Sequence, residues 1–226
     1  MRHEQRAPLI GARALQDFGA APTTVGAPRR RSGCSRSRPP DRSWYQGTAD
    51  TALTRVGAYR FDDPAGEVGI ETLLVRSGGG PVHQVPLTYR GAPLPGADRW
   101  LVGNIDHSVL GKRWVYDGCA DPVYVTALAR AILAGAAQAD EFIETDGRLE
   151  RREPTMTVVS NAPSSDVEVG IGTVDHVTGD DPTLITTPTV VLAVLRRLDS
   201  VPVATDARLS GTWQGQPTPS PLAYVH

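Results

Sequence analysis

Lysine is nearly absent from this 226-residue chain: Lys112 is the sole example, against twenty-two arginines. It is followed by Arg113, which excludes a phosphate loop of the G-x-x-x-x-G-K-[ST] type. Cysteine is almost as scarce, with two residues, too few for a disulfide framework. Cys34 and Cys119 lie in segments of different character, so both are expected as free thiols. H-E-x-x-H, C-x-x-C and G-x-S-x-G do not occur. The five histidines, His3, His83, His107, His176 and His226, include no pair four residues apart. No metal or cofactor is therefore expected. No apolar run approaches the roughly 18 residues of a membrane span. The opening "MRHEQRAPLIGARALQDFG" is interrupted by Arg6 and Arg13, where a signal peptide needs an unbroken apolar stretch. A cytoplasmic protein with no membrane partner is the expectation.

What is present divides unevenly along the chain. The hydrophobic content of 40% supports a globular core. Residues 1–42 carry nine arginines against Glu4, Asp17 and Asp41, a net charge of +6, while the remainder holds fourteen basic and twenty-two acidic residues, a net charge of −8. In "PRRRSGCSRSRPPDR" (28–42) no apolar side chain is available to offset ordering entropy, so 1–42 is expected to be a disordered arm. Its arginines could contact phosphates, but no aromatic is interleaved for base stacking, which argues against nucleic-acid binding. The Arg, Pro, Gly, Ala and Ser bias also matches GC-rich DNA translated upstream of, or out of frame with, a true start.

From Trp44 onward the pattern becomes strand-like. "TRVGAYRF" (54–61), "VGIETLLVR" (68–76) and "VHQVPLTYR" (82–90) are separated by "DDPAGE" and "SGGG", short turn-bearing links that make neighbours antiparallel. The glycines of "SGGG" are expected to supply positive φ in a hairpin turn. "WLVGNID" and "GKRWVYDG" extend the series to about five strands in a meander. Ile70, Thr72 and Leu74 point one way and Glu71, Leu73 and Val75 the other, so something should cover part of the second face. Asp121 is suited to cap a helix that Pro122 opens, with Val125, Leu128, Ala129 and Ile132 on one stripe and an end near Gly135. "EFIETDG" and "TMTVVSN" read as further strands. "TVVLAVLRRLD" (189–199) reads as a buried strand paired with "ARLSGTWQG", with Arg196 and Arg197 at the exposed end. The fold class is α+β: a mainly antiparallel sheet with one packed helix and additional C-terminal strands. Residues 43–226 form the domain, 43–135 its core and 136–226 the C-terminal strands.

Two candidate sites follow from these positions. His107 stands at a strand end between Asp106 and Ser108; consecutive strand residues face opposite ways and cannot converge as a triad, so a hydrogen-bonded turn histidine is the simpler reading. Glu71, His83, Tyr89 and His107 are the candidates to line a cavity between sheet and helix, with His83 facing Glu71 across strands. Such a cavity would suit a small enzyme or a ligand-binding protein. Lys112, Arg113, Trp114, Tyr116 and Tyr124 are the candidates for an interaction surface, Lys112 and Arg113 lying on opposite faces of their strand.

The series "SWYQG", "FDDPAGEVGIETLLV" and "VHQVPLTYRGAPLPGADRWLVGNIDHSVLGKRWVYDGCADPVYVTAL" resembles the N-terminal cap domain of actinobacterial maltokinases and the related stand-alone cap-like proteins. The resemblance runs from about Trp44 to Leu133. It implies a mainly antiparallel sheet with a helix against it, and an association with an ATP- and magnesium-dependent kinase that phosphorylates maltose in the trehalose-to-α-glucan route. Such a kinase requires a nucleotide-binding lysine, a catalytic aspartate and a further metal-binding aspartate. The chain lacks that set: "VVLAVLRRLDS" has Val, Leu, Ala and Arg where the lysine would stand, and Lys112 falls inside the cap motif. The family usually opens with a helix-forming segment just before "WY", where this chain has "RRRSGCSRSRPPDR"; a sheet missing its first helix is the expectation. The resemblance implies a non-catalytic module and, as partner, a sugar kinase or another α-glucan enzyme.

Overall fold

The computed structural model describes residues 53–107, 110–145, 148–165, 168–199 and 207–226. Trp44, Cys34 and the arginine-rich arm lie outside the described residues. Half-buried to buried strands begin with β1 (Leu53–Phe61), β2 (Gly69–Ser77) and β3 (Val82–Arg90), followed by β4 (Leu101–His107) and β5 (Gly111–Asp117). They form one antiparallel sheet of order β1-β2-β3-β5-β4. The arrangement departs from a simple meander: β3 pairs with β5, and β4 returns to the outer edge. The long link "GAPLPGADR" makes this possible by carrying the chain past the β5 position. Asp63 organises the β1–β2 turn, its carboxylate accepting from the amides of Ala65, Glu67 and Val68 at 2.9–3.0 Å. Gly78 takes φ +54° in the β2–β3 turn, as the "SGGG" run predicts.

A tight turn leads from β5 into helix α1 (Pro122–Ala134). A side chain at Gly118 would meet the Tyr124 ring at 3.0 Å and Pro86 at 3.2 Å, so only glycine permits this approach of turn to helix. Asp121 caps the helix by accepting from the Val123 amide at 3.0 Å, and Gly135 ends it at φ +63°. Val125, Leu128, Ala129 and Ile132 are fully buried, as the stripe predicts.

The C-terminal part forms a second antiparallel sheet of order β8-β12-β13-β11-β10-β9. Its strands are β8 (Met156–Ser160), β9 (His176–Val177), β10 (Thr183–Thr186), β11 (Val191–Val194), β12 (Arg208–Trp213) and β13 (Gln216–Val225). β6 (Glu141–Thr145) and β7 (Arg148–Arg152) make a separate hairpin. Two expectations are corrected here. β11 is a buried strand but pairs with β10 and β13, so β13 stands between it and the β12 partner expected from sequence. Arg196 does not sit at an exposed end: it is 1% exposed.

One core joins α1 to both sheets. Tyr59, Phe61, Ile70, Leu74 and Tyr116 of the first sheet pack with Tyr124, Val125 and Leu128 of α1 and with Met156, Leu192, Val194, Trp213 and Leu222 of the second. β3 also bridges the sheets through its backbone. Its second half pairs with β5, which leaves Val82–Gln84 with a free edge, and the segment after β11 fills it. The Gln84 amide donates to Arg196 O at 2.8 Å, and the Leu198 amide donates to Val82 O at 2.9 Å. Gln84 Nε2 adds bonds to the carbonyls of Leu195 and Leu222, each at 3.0 Å.

Candidate functional site

The charged groups of highest consequence converge where β5, α1 and the end of β11 meet. The Arg196 guanidinium reaches both carboxylate oxygens of Asp117 at 2.9 Å, Thr183 Oγ1 at 2.8 Å and Cys119 Sγ at 3.1 Å. Burial alone would weaken the charged form of Arg196, but the Asp117 carboxylate reverses this and holds the guanidinium protonated above its ordinary range. Asp181 fixes the backbone on the same turn, accepting from the amides of Arg196 at 2.7 Å and Arg197 at 3.2 Å. Burial also raises the phenols of Tyr59 and Tyr124 well above the usual tyrosine range, so both stay neutral beside this cluster.

Asp121 links the same region to the first sheet. Its two oxygens receive Nε and an Nη of Arg90 at 2.6 Å each, while the carboxylate also caps α1. The hydrogen bonds to Asp121 raise the Arg90 pKa. Chemically, both arrangements are closed: each carboxylate is committed to a guanidinium and to backbone amides. They fasten α1 and the C-terminal sheet to β3 and β5.

The candidate cavity residues do not assemble. Glu71 and Tyr89 meet, with the Tyr89 hydroxyl donating to Glu71 Oε2 at 3.0 Å and Arg55 3.9 Å from the other oxygen. His83 is four residues further along the register than expected, opposite Val75, while Glu71 stands opposite Leu87. Both carboxylate and imidazole lie on the sheet face turned away from α1, because β2 and β3 present Ile70, Thr72, Leu74, Gln84 and Thr88 to the helix side. They therefore cannot line a sheet–helix cavity. His107 is separate again, its Nδ1 accepting from the Leu110 amide at 3.0 Å in the β4–β5 turn, as a turn histidine should. Burial and the Arg197 guanidinium lower the His83 pKa, with Asp199 and Asp181 opposing in part.

The interaction-surface candidates divide. Lys112 is exposed, and its ammonium lies 4.9 Å from the centre of the Trp114 ring, itself half-buried. Asp106 and Asn104, both exposed, stand opposite Lys112 and Trp114 on β4. Arg113 faces the other way and packs at Gly91, where an added Cβ would come within 2.8 Å of its guanidinium. Tyr116 and Tyr124 do not belong to any surface. Tyr116 is 1% exposed, its hydroxyl accepting from the Leu94 amide at 2.9 Å, and Tyr124 is fully buried. Their aromatic rings complete the core below the strand that carries Lys112.

Two clefts open among the described residues. One of about 280 Å³ lies between β1, the stretch after α1, and β7–β8; another of about 250 Å³ is lined by Arg76, Val82, Asp199, Trp213 and Gln216. Neither includes Glu71, His83, Tyr89 or His107. Among the described residues, no group of three or more His, Cys, Asp or Glu is placed to hold a metal ion.

A comparison with known families matches the stretch of chain that carries the five-stranded sheet and the tight turn. Residues 40–121 match the maltokinase N-terminal cap domain. The match covers about a third of the chain, takes in β1–β5, and ends on Asp121, the residue that both caps α1 and holds Arg90. A cap domain of this kind is the N-terminal part of a kinase and not its catalytic domain. No curated protein matches the chain. Asp117 and Cys119 lie within the cap match, whereas their partner Arg196 lies beyond it. Sequence reasoning missed this pair because Arg196 follows a short apolar strand and reads as a solvated end. The single hint was the local oddity of two arginines directly after "VVLAVL".

Proposed function

We propose that the chain is a non-catalytic maltokinase cap-like module that associates with a separately encoded sugar kinase, or another enzyme of trehalose- and maltose-to-α-glucan metabolism. The observation that carries this reading is the cap-domain match over residues 40–121. The role of the buried charges is compatible with it: Asp117, Asp121, Arg90 and Arg196 are each engaged in fastening elements together. The contact surface we assign is the outer β4–β5 ladder, where Asn104, Asp106, Lys112 and Trp114 share one face. A half-buried tryptophan held by a cation and flanked by polar rim residues has the composition of a protein-binding patch.

The test supplies the chain in trans to a maltokinase catalytic domain deprived of its own cap, and follows association by sedimentation velocity. A complex is expected, weakened at least tenfold by Lys112→Glu. Two species that sediment independently at 100 μM would contradict the reading.

A further inference from the structure

Two hairpin turns, one from each sheet, open onto a common cleft beside the seam between β3 and the segment that follows β11. The β2–β3 turn runs from Ser77 to Val82, and the β12–β13 turn is closed by the pairing of Trp213 with Gln216. The Leu198 amide, donating to Val82 O at 2.9 Å, ties the segment after β11 to the first of these turns. The cleft of about 250 Å³ lies where the three pieces of chain meet, so both sheets contribute to its walls. Val82, Leu198 and Trp213 give it an apolar side, and Val82 and Trp213 are anchored in the core at 7% and 9% exposure.

The polar groups of the cleft are donors with unspent capacity. Arg76 is exposed, and among the described residues its guanidinium makes neither a hydrogen bond nor an ion pair. The Trp213 indole N–H has no acceptor among the described residues either, although a tryptophan buried to this degree ordinarily finds one. Asp199, the one carboxylate on the cleft among the described residues, is already held by Arg197, whose Nη2 stands 2.8 Å from Oδ2. That hydrogen bond keeps Asp199 ionised below the usual carboxylate range. Arg197 therefore offsets Asp199, and Arg76 leaves one positive charge in excess. These features select a ligand chemistry. The parallel N–H groups of a guanidinium match the two oxygens of a carboxylate, and a single excess charge matches a monoanion. A space of about 250 Å³ equals the liquid volume of about eight waters, which suits a small acid and excludes a nucleotide. We propose that this cleft binds a small monocarboxylic acid, with Arg76 and the Trp213 N–H on its carboxylate and Val82 and Leu198 against its apolar body. The site lies apart from the β4–β5 contact surface and does not rest on the association with a kinase.

The test titrates the isotope-labelled full-length chain with sodium benzoate and, separately, with benzamide, its neutral counterpart of the same shape. The reporter is the indole N–H resonance of Trp213, identified as the one of four that is lost in Trp213→Phe. Benzoate should shift that resonance saturably with a midpoint of about 1 mM, and benzamide should leave it in place over the same range. Arg76→Gln should weaken the benzoate response about tenfold. Arg148→Gln, which removes the same charge from the separate β6–β7 hairpin, should leave it unchanged. No saturable shift with benzoate, equal shifts with benzoate and benzamide, or equal losses in the two arginine variants would each overturn the proposal.

Discussion

Arg196 and Asp117 are 79 residues apart in sequence and form a fully buried ion pair, one guanidinium nitrogen standing 2.9 Å from each carboxylate oxygen. The pair joins the end of the cap-like sheet to the C-terminal sheet. A buried pair of this kind gains little over an apolar pair of the same shape, yet breaking it leaves an uncompensated charge that costs about 3–5 kcal/mol. Asp117→Leu and Arg196→Met should each lower the unfolding free energy by about that amount. The double variant Asp117→Leu/Arg196→Met should recover much of the loss. Urea denaturation of the three proteins measures this, and strictly additive losses would argue against the pairing.

Gln84 makes a second joint between the sheets. Its amide group donates to the Leu195 and Leu222 carbonyls, so Gln84→Leu removes two buried hydrogen bonds at once. Leu222 O keeps the Leu195 amide as a donor at 2.9 Å, so the Leu195 carbonyl is the acceptor that loses its partner, and a loss of about 1–3 kcal/mol is expected. Hydrogen exchange should localise the loosening to the Leu195–Leu198 segment against β3.

Asp121 combines two roles that substitution can separate. Asp121→Asn keeps a capping side chain and loses the charge pairing with Arg90; Asp121→Ala loses both. Removing a cap costs about 1 kcal/mol, so the alanine variant should be the less stable by about that much in thermal or chemical unfolding. Equal stability of the two variants would mean that the cap contributes nothing.

His83 gives a pH dependence with a definite sign. Its folded pKa is lowered by burial and by Arg197, against Asp199 and Asp181. The unfolded chain therefore takes up a proton near pH 6.5 that the folded chain resists, and stability should fall as the pH drops below about 6.5. In urea midpoints measured between pH 7.5 and 5, His83→Gln should show a shallower fall than the parent. Parallel curves would contradict the assignment.

The first half of the fold was legible from local signals, for identifiable reasons. Asp121, Pro122 and Gly135 act through short-range backbone chemistry, so the helix could be read with its boundaries. Alternation in "VGIETLLVR" showed two sheet faces and the need for a cover on the second. Strand order was not legible in the same way: β4 moves to the edge because of a loop whose path depends on tertiary packing. The C-terminal half misled more seriously. Arg196 was expected to be solvated because charged residues usually are, and only the distant Asp117 makes its burial possible. Tyr116 and Tyr124 were grouped with Lys112 on proximity in sequence, but the core below β5 claims both rings. Glu71, His83 and Tyr89 do share a sheet face; the helix covers the opposite one.

The most direct measurement is sugar-kinase activity recovered with the full-length chain. The tagged protein is captured from native lysate, and the eluate is assayed for ATP-dependent phosphorylation of maltose, glucose and glucosamine beside the purified chain alone. A cap-like module should be inert by itself and should bring down maltose-phosphorylating activity that Lys112→Glu reduces. Phosphorylation by the purified chain, or an eluate without kinase activity, would contradict the proposed role.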